Sequence, residues 1–152
     1  MKITILLSIT LFLSANLLVA QHLEEQEWAK LSEYIASGNI KKFEDDLAAK
    51  NFTKAEDTNG NYTFYNWKNT EPFYYGVRVN KASKQVTYMT NDQQYVLKLL
   101  SRFLSEYTLI NSDQKDTTSR THIFQSSENT IAIKLDLSTN KGTHLLFAKT
   151  KS

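Results

Sequence analysis

The sequence predicts an α+β fold of two layers: a duplicated unit of helix plus four-stranded antiparallel sheet, with the helices on one face. Three observations predict it. Apolar residues at helical spacing open the chain after residue 20 and return near residue 92. After each helical stretch the apolar period switches to two. The order helix, four strands then occurs twice, with a period of about 55 residues.

The first element is a leader. Met1-Lys2 gives a positive end, Ile3 to Ala20 carries no charge, and polarity returns at Gln21-His22. This is the pattern of a secretory signal peptide, with cleavage expected after Ala20. The run resembles bacterial signal peptides that end in Ala-Gln. An uncleaved anchor is the alternative, since about eighteen apolar residues lie at the lower edge of a bilayer span. No positive cluster follows the run, which weakens that alternative. The expected location is therefore secreted or periplasmic, in a bacterial envelope. Residues 21–152 are expected to form a single α+β domain of two repeats, about 21–90 and 91–152.

Composition narrows the chemistry. The chain has no cysteine. That excludes a lipidated cysteine, disulfides, thiolate zinc sites and a cysteine nucleophile. The 18 basic and 16 acidic side chains give +2, and without Lys2 the balance is +1. Such a balance carries no electrostatic footprint for nucleic acid or an anionic membrane surface.

Trp28, Leu31 and Ile35 share one helical face, and Glu24, Glu25 and Glu27 suit the positive end of the helix dipole. Gly38 reads as a stop and Asn39 as the cap of a second helix carrying Ile40, Phe43 and Leu47. Strands are expected at about 52–57, 61–67, 73–80 and 84–90. Asn59-Gly60 marks a hairpin and Pro72 a strand start. Asn91-Asp92 caps a third helix to about Glu106, with Val96, Leu97, Leu99, Leu100, Phe103 and Leu104 apolar; so wide a face predicts burial from more than one side. Four more strands follow at about 107–112, 118–125, 129–137 and 143–149, the last turn at Asn140-Lys141-Gly142.

Side-chain parity divides the strands into two faces. Phe73, Tyr75, Val77, Val79, Ile131, Ile133, Leu135 and Leu137 are expected under the helices. Tyr74, Gly76, Arg78, Ala132, Lys134 and Asp136 then form an open, solvated face. On 61–67 aromatic rings occupy both parities. With Phe64 placed inward, Tyr65 and Trp67 face out. The candidate binding patch is Tyr65, Trp67, Tyr74 and Arg78, residue types that dominate binding hot spots. Cross-strand pairing for stability alone is the competing explanation of the same rings.

In element order the chain resembles the β-lactamase inhibitory protein family, secreted proteins that grip an enzyme on a concave sheet. The resemblance implies protein recognition on the sheet. That family's disulfides have no counterpart here, and none of its site residues is carried over.

No catalytic or metal constellation emerges. His22, His122 and His144 have no metal-ligand spacing and read as ordinary surface or strand histidines. Glu44-Asp45-Asp46 sits beside Lys41 and Lys42, as on a solvated helix face. No nucleophile elbow or phosphate loop is present. The expected function is binding without catalysis, metal or cofactor. The expected partner is another envelope or secreted protein, met through the open sheet face, with no nucleic acid and no stable membrane insertion after cleavage. The alternative is a carrier of a small hydrophobic ligand held between sheet and helices.

Overall fold

The computed structural model describes residues 22–56, 60–67, 73–137 and 144–150. The leader, Asn59, Pro72 and the Asn140–Gly142 turn lie outside the described residues. The elements run α1 (Glu25–Ala36), α2 (Ile40–Ala49), β1 (Phe52–Lys54), β2 (Tyr62–Trp67), β3 (Tyr75–Asn80), β4 (Val86–Thr90), α3 (Gln93–Glu106), β5 (Thr108–Gln114), β6 (Ser119–Gln125), β7 (Asn129–Asp136) and β8 (His144–Thr150).

Local chemistry sets the helix ends. At the start of α1 the Glu24 amide donates to Glu27 Oε2 at 2.8 Å, satisfying an otherwise unpaired donor. Gly38, at φ 76°, ends that helix in the left-handed region that glycine enters without steric cost. One residue on, Asn39 Oδ1 accepts the Lys42 amide and starts α2. Asp92 does the same for α3 through the Tyr95 amide at 3.0 Å.

The strands form one continuous antiparallel sheet in the order β1-β2-β3-β4-β8-β7-β6-β5. The α+β architecture with an antiparallel sheet is as expected, but the eight strands form one sheet where two four-stranded units were expected. Each run of four strands is a meander, and the last strand of each pairs with the other through Tyr88↔Leu146, Met89↔Leu145 and Thr90↔His144. The physical reason lies in β4. All five of its residues are buried, Val86, Tyr88 and Met89 among them. Left as an edge, β4 would offer water an apolar strand with unpaired amides. Joining it to β8 removes that edge.

The three helices among the described residues are spread unevenly over one face. Phe43 of α2 sits edge-on to Tyr65 at 5.3 Å. Trp28 of α1 stacks on Tyr88 at 6.0 Å, and Ser32 of α1 reaches the Ala148 carbonyl of β8 at 3.0 Å, so α1 lies over the seam. Phe103 of α3 meets Phe124 of β6 at 5.6 Å. One buried cluster runs from Phe43 and Tyr65 through Trp28, Tyr88 and Leu146 to Phe103 and Phe124. Glu25 ties α1 to α3, accepting from Arg102 and from the Tyr107 hydroxyl.

Three expectations about burial are overturned. Only Val96, Leu99 and Phe103 of α3 are buried, while Leu97 and Leu104 are 49% and 56% exposed. The helix therefore buries a single stripe, because no second described element packs on its outer side. Leu137 lies one residue beyond β7 and is exposed. Phe73 precedes β3 and is likewise exposed, where strand parity no longer governs it.

Candidate functional site: the open face of the sheet

Register fixes which side chains share the face away from the helices. Phe64 pairs with Arg78, and Arg78 with Thr87. One step along, Asn66 pairs with Gly76, Gly76 with Met89, Met89 with Leu145, and Leu145 with Lys134. Phe147 pairs with Ala132, and Ala132 with Ile123. Apolar side chains thus cross the seam from Met89 of β4 through Leu145 and Phe147 of β8 to Ala132 of β7 and Ile123 of β6. The centre of this face is not the solvated surface expected from its sequence. Gly76, Thr87, Met89 and Ala132 are buried there, with the Tyr74 ring lying across Gly76.

At the β2–β3 end of the face the larger groups gather. The Arg78 guanidinium lies 4.8 Å above the Tyr62 ring, a cation–π contact, and Tyr62 is 6.2 Å from Phe64. Tyr74 folds across Gly76. A Cβ there would fall 2.7 Å from Tyr74 Cζ, so glycine is what admits the ring. The Tyr74 hydroxyl donates to Asn66 Oδ1 at 3.2 Å, and its amide donates to Asn91 Oδ1 at 2.6 Å. Partial burial raises the Tyr74 phenol above its ordinary pKa, and the nearby Arg78 charge opposes that rise.

Two of the four expected patch residues are elsewhere. Tyr74 and Arg78 are on the open face. Tyr65 and Trp67 face the helices, which corrects their expected outward placement. Tyr65 is only 5% exposed, packs on Phe43, and donates its hydroxyl to Glu44 Oε1 at 2.9 Å. Trp67 packs edge-on to Tyr75 at 5.2 Å beside the core. The parity was reversed because α2 supplies Tyr65 with both an apolar bed and an acceptor. Phe64, without a polar end, needs neither. Tyr62 and Phe64 take the vacated places on the open face, and Met89, Leu145 and Phe147 extend it. A strict alternation test anchored on Val77 and carried through the Tyr65↔Val77 pairing would have found them.

A second cluster of polar groups is buried under the N-terminus of α3. His22 stacks on Tyr95 with centroids 3.5 Å apart and meets Tyr75 edge-on at 4.6 Å. Its Nδ1 lies 3.1 Å from the Tyr88 hydroxyl and its Nε2 3.2 Å from Asp92 Oδ2. Burial lowers the His22 pKa, against the pull of Asp92. Desolvation pushes the Tyr75 phenol up to about 12. Both ring nitrogens and two sides of the ring are occupied, so His22 has no site from which to take a substrate proton. The cluster pins the start of the described chain to α3. His144 is a strand histidine, as expected, at the start of β8; it is 2% exposed, and its lowered pKa follows from burial. No group of three metal-ligating side chains occurs among the described residues.

No protein-family model matches this chain, and neither a curated protein nor a solved structure is detectably similar to it.

Proposed function

We propose that this is an exported, non-catalytic protein that recognises another envelope or secreted protein through the open face of its sheet. The observation that carries the proposal is the cluster of Tyr62, Phe64, Tyr74 and Arg78 on the face away from the helices. Tyr and Arg combine wide contact area with polar ends, the properties of residues that dominate protein interfaces. The half-buried Leu145 and Phe147 continue the surface past the seam, beside the buried Met89. Export rests on the leader-like run ending near Ala20. The near-neutral charge favours a protein partner over nucleic acid. No helix among the described residues is long and apolar enough to cross a membrane.

The finer architecture belongs to the same proposal. The strand order reads identically outward from the β4–β8 seam in both directions, which supports duplication of a four-stranded unit. Two helices precede the first set and one the second. The likeness in element order to β-lactamase inhibitory proteins suggests the mode, a sheet face gripping a folded partner.

Capture from the envelope fraction and medium of the producing cells tests this. The wild type should retain a defined partner, and Phe64→Ser with Arg78→Glu should lose it. The variant's melting temperature should fall by no more than about 5 °C. Equal capture by wild type and variant refutes the assignment. A second function, carriage of a small hydrophobic ligand between sheet and helices, is favoured by one feature, a cleft beside the β4–β8 seam lined by Ser32 and Ala36 of α1 and by Val86 and Ala148.

A further inference from the structure

The seam between the two meanders opens at one end. The β4–β8 ladder stops at Tyr88↔Leu146, although β8 continues to Thr150 and β4 begins at Val86. Past the last pair, the Ala148 carbonyl is met by Ser32 Oγ of α1 at 3.0 Å. A helix side chain therefore bonds a carbonyl that lies beyond the reach of the β4 ladder. The result is a cleft of about 430 Å³ beneath the C-terminal half of α1, within the size range of small-molecule sites. Its walls are Ala36, Val86, Phe147 and Ala148, and its lining also carries Lys84 and Lys149.

Those two lysines set the ligand class. Neither has an ion-pair partner among the described residues, a state they share with Lys42, Lys81, Lys98 and Lys115; what distinguishes these two is that both line the cleft. Lys84 is also held in the left-handed region, at φ 58°, a conformation unfavourable for a side chain with a Cβ. The loop around it is organised, with Asn80 Oδ1 accepting the Ala82 and Ser83 amides at 3.0 and 2.9 Å and the Asn80 amide bonding the Gln85 carbonyl at 2.9 Å. An apolar slot with two unpaired ammonium groups complements a chain that is greasy along its length and anionic at one end.

We propose that the seam cleft binds a long-chain carboxylate, with its alkyl chain between α1 and the splayed ends of β4 and β8 and its carboxylate on Lys84 and Lys149. This rests on the ligand-carrier function; Phe147, which continues the open face, also borders the cleft, so the two surfaces meet at that residue. Each buried methylene should tighten binding about fourfold. The head contacts are exposed, so together they should contribute roughly three- to thirtyfold, weakening with salt.

The test uses 11-(dansylamino)undecanoic acid and its uncharged carboxamide, titrated by fluorescence into the protein expressed from its full coding sequence. The proposal predicts saturable one-to-one binding of the acid. Lys84→Met with Lys149→Met should weaken the acid roughly three- to thirtyfold and leave the amide unchanged. Ala36→Trp, at the exposed end of α1, should block both probes, with a thermal melt to confirm folding. Equal affinity for acid and amide in the wild type overturns the carboxylate assignment while leaving a carrier of neutral ligands. Absence of saturable binding by either probe overturns both the proposal and the carrier function. Binding of the acid unchanged by the lysine pair and by Ala36→Trp places the site elsewhere and overturns the proposal.

Discussion

Replacing Gly76 with alanine isolates the packing that shapes the open face. The new Cβ would lie 2.7 Å from Tyr74 Cζ and 3.3 Å from Cε1, well inside contact distance, so the Tyr74 ring must swing away. The swing breaks the exposed hydrogen bond to Asn66, a loss of about 0.5–1 kcal/mol. Lifting the ring re-exposes roughly 40 Å² of apolar area, about 1 kcal/mol more. Against this, alanine in a strand is better than glycine by about 0.5–1 kcal/mol. The net cost is about 0.5–1.5 kcal/mol. In a Tyr74→Ala background the clash is absent, so the same substitution should become stabilising by about 0.5–1 kcal/mol. Urea unfolding followed by tryptophan fluorescence measures both legs, with Trp28 buried in the core as reporter. A reversal of sign between the two backgrounds is the expected signature. Destabilisation of the same size in both, or stabilisation in both, refutes the placement of Tyr74 over Gly76.

Tyr65→Ala should cost about 3–5 kcal/mol in urea unfolding, because it empties a buried ring site, whereas Phe64→Ala on the opposite face should cost about 1 kcal/mol. Asp92→Ala should cost about 2–4 kcal/mol through loss of the α3 cap and the contact to His22, and Asp92→Asn, which keeps the cap, should cost less. Burial depresses the pKa of His22, His122 and His144, so below their ordinary value of 6.5 the unfolded chain binds more protons. Stability should be full above that pH and decline as pH falls toward 5, and His144→Gln should flatten the slope seen in denaturant melts at each pH. Tyr65→Phe removes the hydroxyl bonded to Glu44, whose carboxyl is held below its usual range chiefly by Lys54 and then by Tyr65. That bond's contribution is present above the ordinary carboxylate pKa and fades as the pH drops through the lowered one, so the stability difference between wild type and Tyr65→Phe should shrink in acid.

Much of the fold was legible because short-range rules governed it. Gly38, Asn39 and Asp92 act locally and end or cap the helices where the sequence says they should. Val77 and Ile133 lie on the helix-facing parity because the large apolar side chains of β3 and β7 recur at every second residue, while the opposite parity carries only small Gly76 and Ala132 beside polar groups. What failed depended on long-range choices. The pairing of β4 with β8 joins residues nearly sixty positions apart, and no local signal announces it. The aromatic run on β2 is ambiguous by parity, and only the Tyr65 hydroxyl meeting Glu44 on α2 separates it from Phe64. The wide apolar face of α3 promised a second partner that the described residues do not supply. The open-face site was half legible: Tyr74 and Arg78 follow from β3, while Tyr62 and Phe64 required the β2 register.

Cysteine protection tests the two-sided sheet most directly, since the native chain contributes no thiol of its own. Single variants Phe64→Cys and Arg78→Cys place a thiol on the open face, and Val77→Cys places one under the helices at a site with no solvent exposure. Under native conditions the first two should react with a bulky maleimide as fast as a free peptide thiol, within about tenfold, while Val77→Cys waits for unfolding. Protection of Phe64→Cys and Arg78→Cys together with Val77→Cys would contradict the account, because both sides of the sheet would then be covered.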